Sequence, residues 1–178
     1  TEHGDEKRPG RVPGQRDRVA DVVERSSFDG VPANGSASFE SARSTLRAVM
    51  VRRGAADAFR NASAAVESEG VGSPWRTLAL ESLAQADLML GDAAAADTAL
   101  AEAVDAAPPG GSYAFYALAL RASIAMGRGD WERAAEHAAE LSELSEQTGL
   151  FQCPARLAAA HIALLRGEVE RARTLIEA

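Results

Sequence analysis

The chain has 178 residues, a formal net charge of −7 and a pI near 5.0, a balance that argues against direct nucleic-acid binding, which needs clustered Lys and Arg, and against docking on an anionic membrane surface. A single Cys, Cys153, excludes an intrachain disulfide framework and fits a reducing compartment. The 46% hydrophobic content suffices for one core or a short repeat array, yet the longest apolar stretch, 153–165, is interrupted by Arg156 and His161 and is too short to span a bilayer, so a cytoplasmic protein is expected.

Residues 1–13 are charged, carry Pro and Gly, and read as a flexible N-terminal arm. A single helical-repeat domain is expected over 14–178. The segment 15–26 places Val19, Ala20, Val22 and Val23 on roughly one face, which predicts a helix. Turn formers without a period fill 27–37, a loop. From there the spacing predicts helices over 38–52, 55–68, 75–90, 93–107, 113–127, 130–147, 153–166 and 168–178. Ser73 before Pro74 is an N-cap hydroxyl followed by Pro at the first helical position. Gly91-Asp92, Gly129-Asp130 and Gly167-Glu168 are compact joints, with Gly ending one helix and an acidic residue starting the next. Pro108 to Gly111 breaks the chain between units. No run alternates with period two, so no sheet is expected. The chain opens without Met and closes inside a helical pattern, which reads as a piece of a larger protein. With Lys7 the only Lys and Ala abundant, the composition fits a GC-rich bacterial genome.

These joints recur every 38 residues, as do Trp75, Tyr113 and Phe151. The same step links Ala58, Ala96, Ala134 and Ala172. Four residues on stand Ala62, Leu100, Ala138 and Ile176, and three later Ala65, Ala103 and Leu141, the i, i+4, i+7 stripe of a buried helix face. Leu46, Ala84, Ala122 and Ala160 mark the tight crossing of each first helix. A two-helix unit cannot bury both faces alone, and stacked neighbours supply the rest. The expected fold is all-α: four antiparallel helix pairs in a right-handed superhelical array, with one helix before them.

In the second unit Leu83, Ala84, Gly91, Ala96, Leu100, Ala103 and Pro108 fall at the spacing of the tetratricopeptide signature, although the period is 38 rather than that family's ~34 and Asp87 stands where an aromatic is customary. The strings SPWRTLALESLAQADLMLGD (73–92) and GDWERAAEHAAEL (129–141), with NGSASFESARSTLRAVM (34–50) before them, resemble the sensor region of MalT-type regulators of the LuxR family. The resemblance covers roughly 34–178. It implies a sensor or regulatory domain of a bacterial transcriptional activator, binding a small-molecule effector or a partner on its concave face. That family's nucleotide-binding and DNA-binding modules have no counterpart here: no G-x-x-x-x-G-K-[ST] and no basic recognition helix occur.

In such arrays the first helices line the concave face, and the register names its columns. One is Arg47, Gln85, Ser123 and His161, a second Arg43, Glu81, Ala119 and Leu157, a third Glu40, Leu78, Tyr116 and Pro154. Candidate ligand-binding residues are Arg43, Arg47, Glu81, Gln85, Tyr116, Ser123 and His161, a polar strip suited to an anionic or polyhydroxylated ligand. The plainer reading is a solvated helix face. The aromatics at 75, 113 and 151 read as junction plugs rather than a stacking ladder. His3 and His137 show no ligand spacing to His161, so no metal site or cofactor is expected. Cys153 reads as an inert small residue, the Glu132, Glu136, Glu140, Glu143 and Glu146 row as a solvated face, and the Asn61-Ala62-Ser63 sequon is discounted because it lies inside a predicted helix of a chain expected to be cytosolic. No nucleophile–base motif appears, so an enzyme is not expected. The alternative function is a protein-interaction scaffold gripping a peptide or partner helix. Self-association is expected through apolar surface near Leu175 and Ile176.

Overall fold

The computed structural model describes residues 15–30, 32–108 and 112–177. The expected arm over 1–13 and most of the expected break before residue 112 lie outside them. Every regular element among the described residues is an α-helix: α1 Gln15–Arg25, α2 Phe39–Met50, α3 Ala55–Ser68, α4 Pro74–Leu90, α5 Ala93–Ala106, α6 Ser112–Gly127, α7 Trp131–Thr148, α8 Gln152–Leu165 and α9 Val169–Glu177. Each helix packs on the next in sequence, and α4 also touches α2 and α6. The core is therefore continuous along the chain rather than central.

Boundaries follow from capping chemistry. Ser38 accepts from the Ser41 amide to start α2, and Ser73 accepts from the Trp75 amide with Pro74 in the first turn of α4. The three compact joints share one hydrogen-bond pattern. Gly91 N–H donates to Leu88 and Asp92 N–H to Asp87; Gly129 donates to Met126 and Asp130 to Ala125; Gly167 donates to Leu164 and Glu168 to Ala163. This paired return needs a left-handed residue, and the glycines supply φ of 87°, 72° and 79°. Asp92 and Asp130 then cap the amides of Ala95 and Arg133. Glu168 instead pairs with Arg166 and Arg171, both at 2.9 Å.

Helix α2 stops at Met50, two residues short of the expected end. Val51 adopts the left-handed conformation there, with φ 49°, and returns its N–H to Arg47. A β-branched residue is strained in that region.

The columns read from the register form the core. Ala58, Ala96, Ala134 and Ala172 are buried, as are Ala62, Leu100 and Ala138, and Ala65, Ala103 and Leu141. Leu80, Ala84, Ala96, Leu100 and Ala103 receive Ala117 and Ile124 of α6 in one cluster. Leu80, Leu100 and Leu141 are the largest fully enclosed apolar side chains, each contributing about 1.5–3 kcal/mol relative to exposure. Ile176 departs from its column: it is 66% exposed and lines an open apolar groove of about 500 Å³ with Leu157 and Leu164.

An alanine at Gly91 would meet no atom within 4 Å, so its cost is purely that of the backbone at φ 87°. Gly91→Ala is expected to lower unfolding free energy by about 1–2 kcal/mol, measured by urea denaturation with an unchanged m-value.

Candidate functional site

The polar column does not converge on one site. Arg43 and Arg47 line a cavity of about 410 Å³ between α1, α2 and α3, whereas His161 lines the apolar groove at the opposite end, between α8 and α9. Gln85 is exposed on α4. Ser123 is exposed on α6 and donates to the Ala119 carbonyl one turn back. Tyr116 is half-exposed and its ring meets Phe115 and Phe151 edge-on. Glu81 is 6% exposed, inside the protein rather than on a wetted column.

The N-terminal cavity is built by charge. Helix α1 lies against α2 through Glu24, which accepts from Arg47 Nε at 2.6 Å and Nη2 at 2.5 Å. Asp21 accepts from Arg52 at 2.7 Å, and the Ser26 carbonyl accepts from Arg43 at 3.3 Å. The bidentate Arg47 contact holds the Glu24 carboxyl below the usual carboxylate range and raises the Arg47 guanidinium further. Glu40 completes the row on α2, accepting from Arg43 and, at 3.3 Å, from Arg47. Arg43 also sits over the Phe39 ring, which Phe28 contacts edge-on. Its Nε is buried with no acceptor. Leu46 and Met50 add apolar lining, and Arg52 and Arg53 bring the lining arginines to four. Of the four valine and alanine positions expected to bury α1, only Ala20 is deeply covered; Val19 and Val22 face outward.

At the opposite end of α3 from the cavity-lining Asp57 stands Glu69, which the sequence reading missed. It is 2% exposed at the end of α3, and its carboxylate accepts from the Ala37 amide at 3.0 Å, Ser41 Oγ at 2.5 Å and Ser73 Oγ at 2.7 Å. Three neutral donors thus satisfy a buried carboxylate and tie the loop before α2 to the starts of α2 and α4. Trp75 Nε1 adds a bond to the Asn34 carbonyl at 2.7 Å. The register gives no signal for this cluster, because Ala107 and Ser145 stand where Glu69 would recur.

The three periodic aromatics behave differently. Trp75 anchors the loop, while Phe151 stacks on Phe115 at 4.4 Å between α6 and α8. The plug reading holds for Phe151. Tyr113 is half-buried at the start of α6. Cys153 is exposed.

Besides Glu69 and Asp87, the buried titratable groups outside the cavity among the described residues are Glu81 and His137. Glu81 Oε1 has no hydrogen-bond partner, nor has Thr77 Oγ1 one turn earlier, and burial pushes the Glu81 carboxyl up to about 7. His137 on α7 is 5% exposed with neither ring nitrogen bonded. Burial, then the Arg121 charge, lowers its pKa; Glu140 at 4.0 Å opposes this and loses, so the pair is not an ion pair near neutrality. Arg121 is itself held by Asp97 at 3.0 Å. Among the described residues no group of three or more His, Cys, Asp or Glu could hold a metal ion, and no helix is long and apolar enough to cross a membrane.

Comparison with known families, with curated proteins and with solved structures finds no match for this chain.

The buried carboxylates generate two predictions. Glu69→Ala leaves three donors unsatisfied and is expected to cost about 3 kcal/mol, read by chemical denaturation. For Glu81, a folded-state pKa above the unfolded value means that the native state binds more protons. Its stabilising contribution is full below about 4.5 and is lost as pH rises through about 7. Glu81→Gln should therefore exceed the parent in stability at pH 8 by roughly 1–3 kcal/mol, with the gap closing by pH 5. His137 works in the opposite sense, losing stability as pH falls through its unfolded value near 6.5. Denaturation curves of Glu81→Gln and parent across this range separate the two; a gap independent of pH would refute the Glu81 assignment.

Proposed function

We propose that the chain is a sensor or regulatory helical-repeat region of a bacterial transcriptional regulator, which takes an effector at the cavity between α1, α2 and α3. In this reading α2–α3, α4–α5, α6–α7 and α8–α9 are antiparallel pairs of tetratricopeptide type in a right-handed superhelix, and Arg43 and Arg47 open the concave column. The observation that carries it is the cavity itself: about 410 Å³, inside the range of roughly 300–1,000 Å³ usual for small ligands, with guanidinium groups above an apolar floor. The resemblance of 34–50, 73–92 and 129–141 to MalT-type sensors supports the regulatory context. Binding would shift the equilibrium between an inhibited and an assembly-competent form of the regulator, in proportion to the difference in affinity between them. The role is non-enzymatic and cytoplasmic.

A second reading, a protein-interaction scaffold, is favoured by the groove between α8 and α9. Ala160, Ala172 and Ile176 there correspond by register to Ala84, Ala96 and Leu100, the face that receives α6. A partner helix or a second copy would find a fitting surface.

A thermal-shift screen of the chain against sugars, nucleotides and common metabolites tests the first reading. At a hundredfold excess over Kd, a bound effector should raise the midpoint by about 5–10 °C, and Arg47→Ala should abolish the rise. No shift with any class would favour the scaffold.

A further inference from the structure

We infer that the ligand of this cavity is a small organic polyanion, and that helix α1 is its built-in competitor, displaced when the ligand binds. The inference rests on the effector reading above and names its ligand class and its regulation.

The charges lining the cavity divide by element. The four arginines come from α2 and the turn after it, while two of the three acids, Asp21 and Glu24, come from α1; only Asp57 belongs to α3. Without α1 the lining holds four guanidinium groups against one lining carboxylate, with Glu40 of α2 still accepting from Arg43 and Arg47. With α1 in place, its two carboxylates occupy the arginines much as a dianion would, Glu24 in the bidentate geometry that carboxylate and phosphate share. Arg53 carries no ion pair among the described residues, and Arg43 Nε is buried without an acceptor, so cationic donor capacity is left over. Leu46 and Met50 give a carbon skeleton somewhere to lie.

The grip on α1 is of a kind that an anion can break. Ala20 is its one deeply buried apolar residue, and Val22 is 57% exposed. Half-exposed ion pairs hold weakly and are screened by salt. Among the described residues no α1 residue belongs to the apolar clusters of the array, so Ala20 is the main apolar contact that its departure gives up. Ligand and α1 compete for the same guanidinium groups, and occupancy of one measures release of the other.

The test uses the full chain, with citrate and inorganic pyrophosphate as probes at constant, low ionic strength. Calorimetry reads binding, and amide hydrogen exchange over 18–25 reads α1. A probe should bind, accelerate exchange in α1, and lose at least about tenfold in affinity in Arg47→Ala. Asp21→Asn combined with Glu24→Gln removes the competitor and should tighten the probe about three- to tenfold, with circular dichroism confirming that the array remains folded. Arg47-dependent binding that leaves α1 exchange and the double variant's affinity unchanged overturns the competitor role while the effector reading stands. An uncharged compound that binds where neither anion does overturns the ligand class alone. If nothing binds to either the parent or the double variant, both readings fall.

Discussion

Close approach of helices through small side chains is the constraint on which this structure depends. A helix pair joined by a link of two to four residues has no interior of its own; it acquires one when the next helix comes near enough to exclude water from both. Alanine at 58, 96, 134 and 172 permits that approach, and the enclosed leucines at 80, 100 and 141 fill what remains. The Gly91, Gly129 and Gly167 joints serve the same end. Their paired return bonds fix how each helix leaves its predecessor, so the alanine columns face one another at each crossing.

That constraint accounts for what could be read in advance. Helix existence, the three joints and the buried stripe depend on local spacing, which repeats, and repetition averages out the ambiguity of any single window. Residues whose environment is made by distant elements escaped. Glu81 sits in a column whose neighbours are Arg43 and Ala119, and nothing local says that it would be enclosed without a partner. His137 lies on the stripe of Ala134 and Leu141, but nothing local says that its imidazole would be enclosed near the Asp97–Arg121 pair with neither nitrogen bonded. Glu69 is invisible to register because its three donors come from three separate segments. The candidate column failed to converge for a related reason: equal spacing along the chain places side chains on successive helices, so Arg43 and Arg47 line the cavity walled by α1 while His161 lines the groove at the other end.

Glu81 and His137 also act against each other as pH changes. Acidification from neutrality relieves the enclosed carboxyl by protonating it and penalises the enclosed imidazole by charging it. Both sit without hydrogen-bond partners in the same continuous core, one at α4 and one at α7. Protonation of Glu81 therefore offsets part of what charging His137 costs the array as pH falls from neutrality.

The two ends of the array differ in the force that closes them. Toward the C-terminus α8 and α9 present an apolar groove, and only another apolar surface can cover it favourably. Toward the N-terminus the register positions that are Ala79, Ala117 and Ala155 in later units are occupied by Ser41, whose hydroxyl is tied to Glu69, and the adjoining row carries Arg43 and Arg47. Cover at that end is held by carboxylates and main-chain carbonyls. Apolar contacts in the interior are insensitive to a dissolved anion, because a charged solute has nothing to offer them. Contacts made of guanidinium and carboxylate exchange partners with any anion of suitable geometry. Of all the helix contacts described, α1 on α2 is thus the one that relies most on bonds a small anion could exchange.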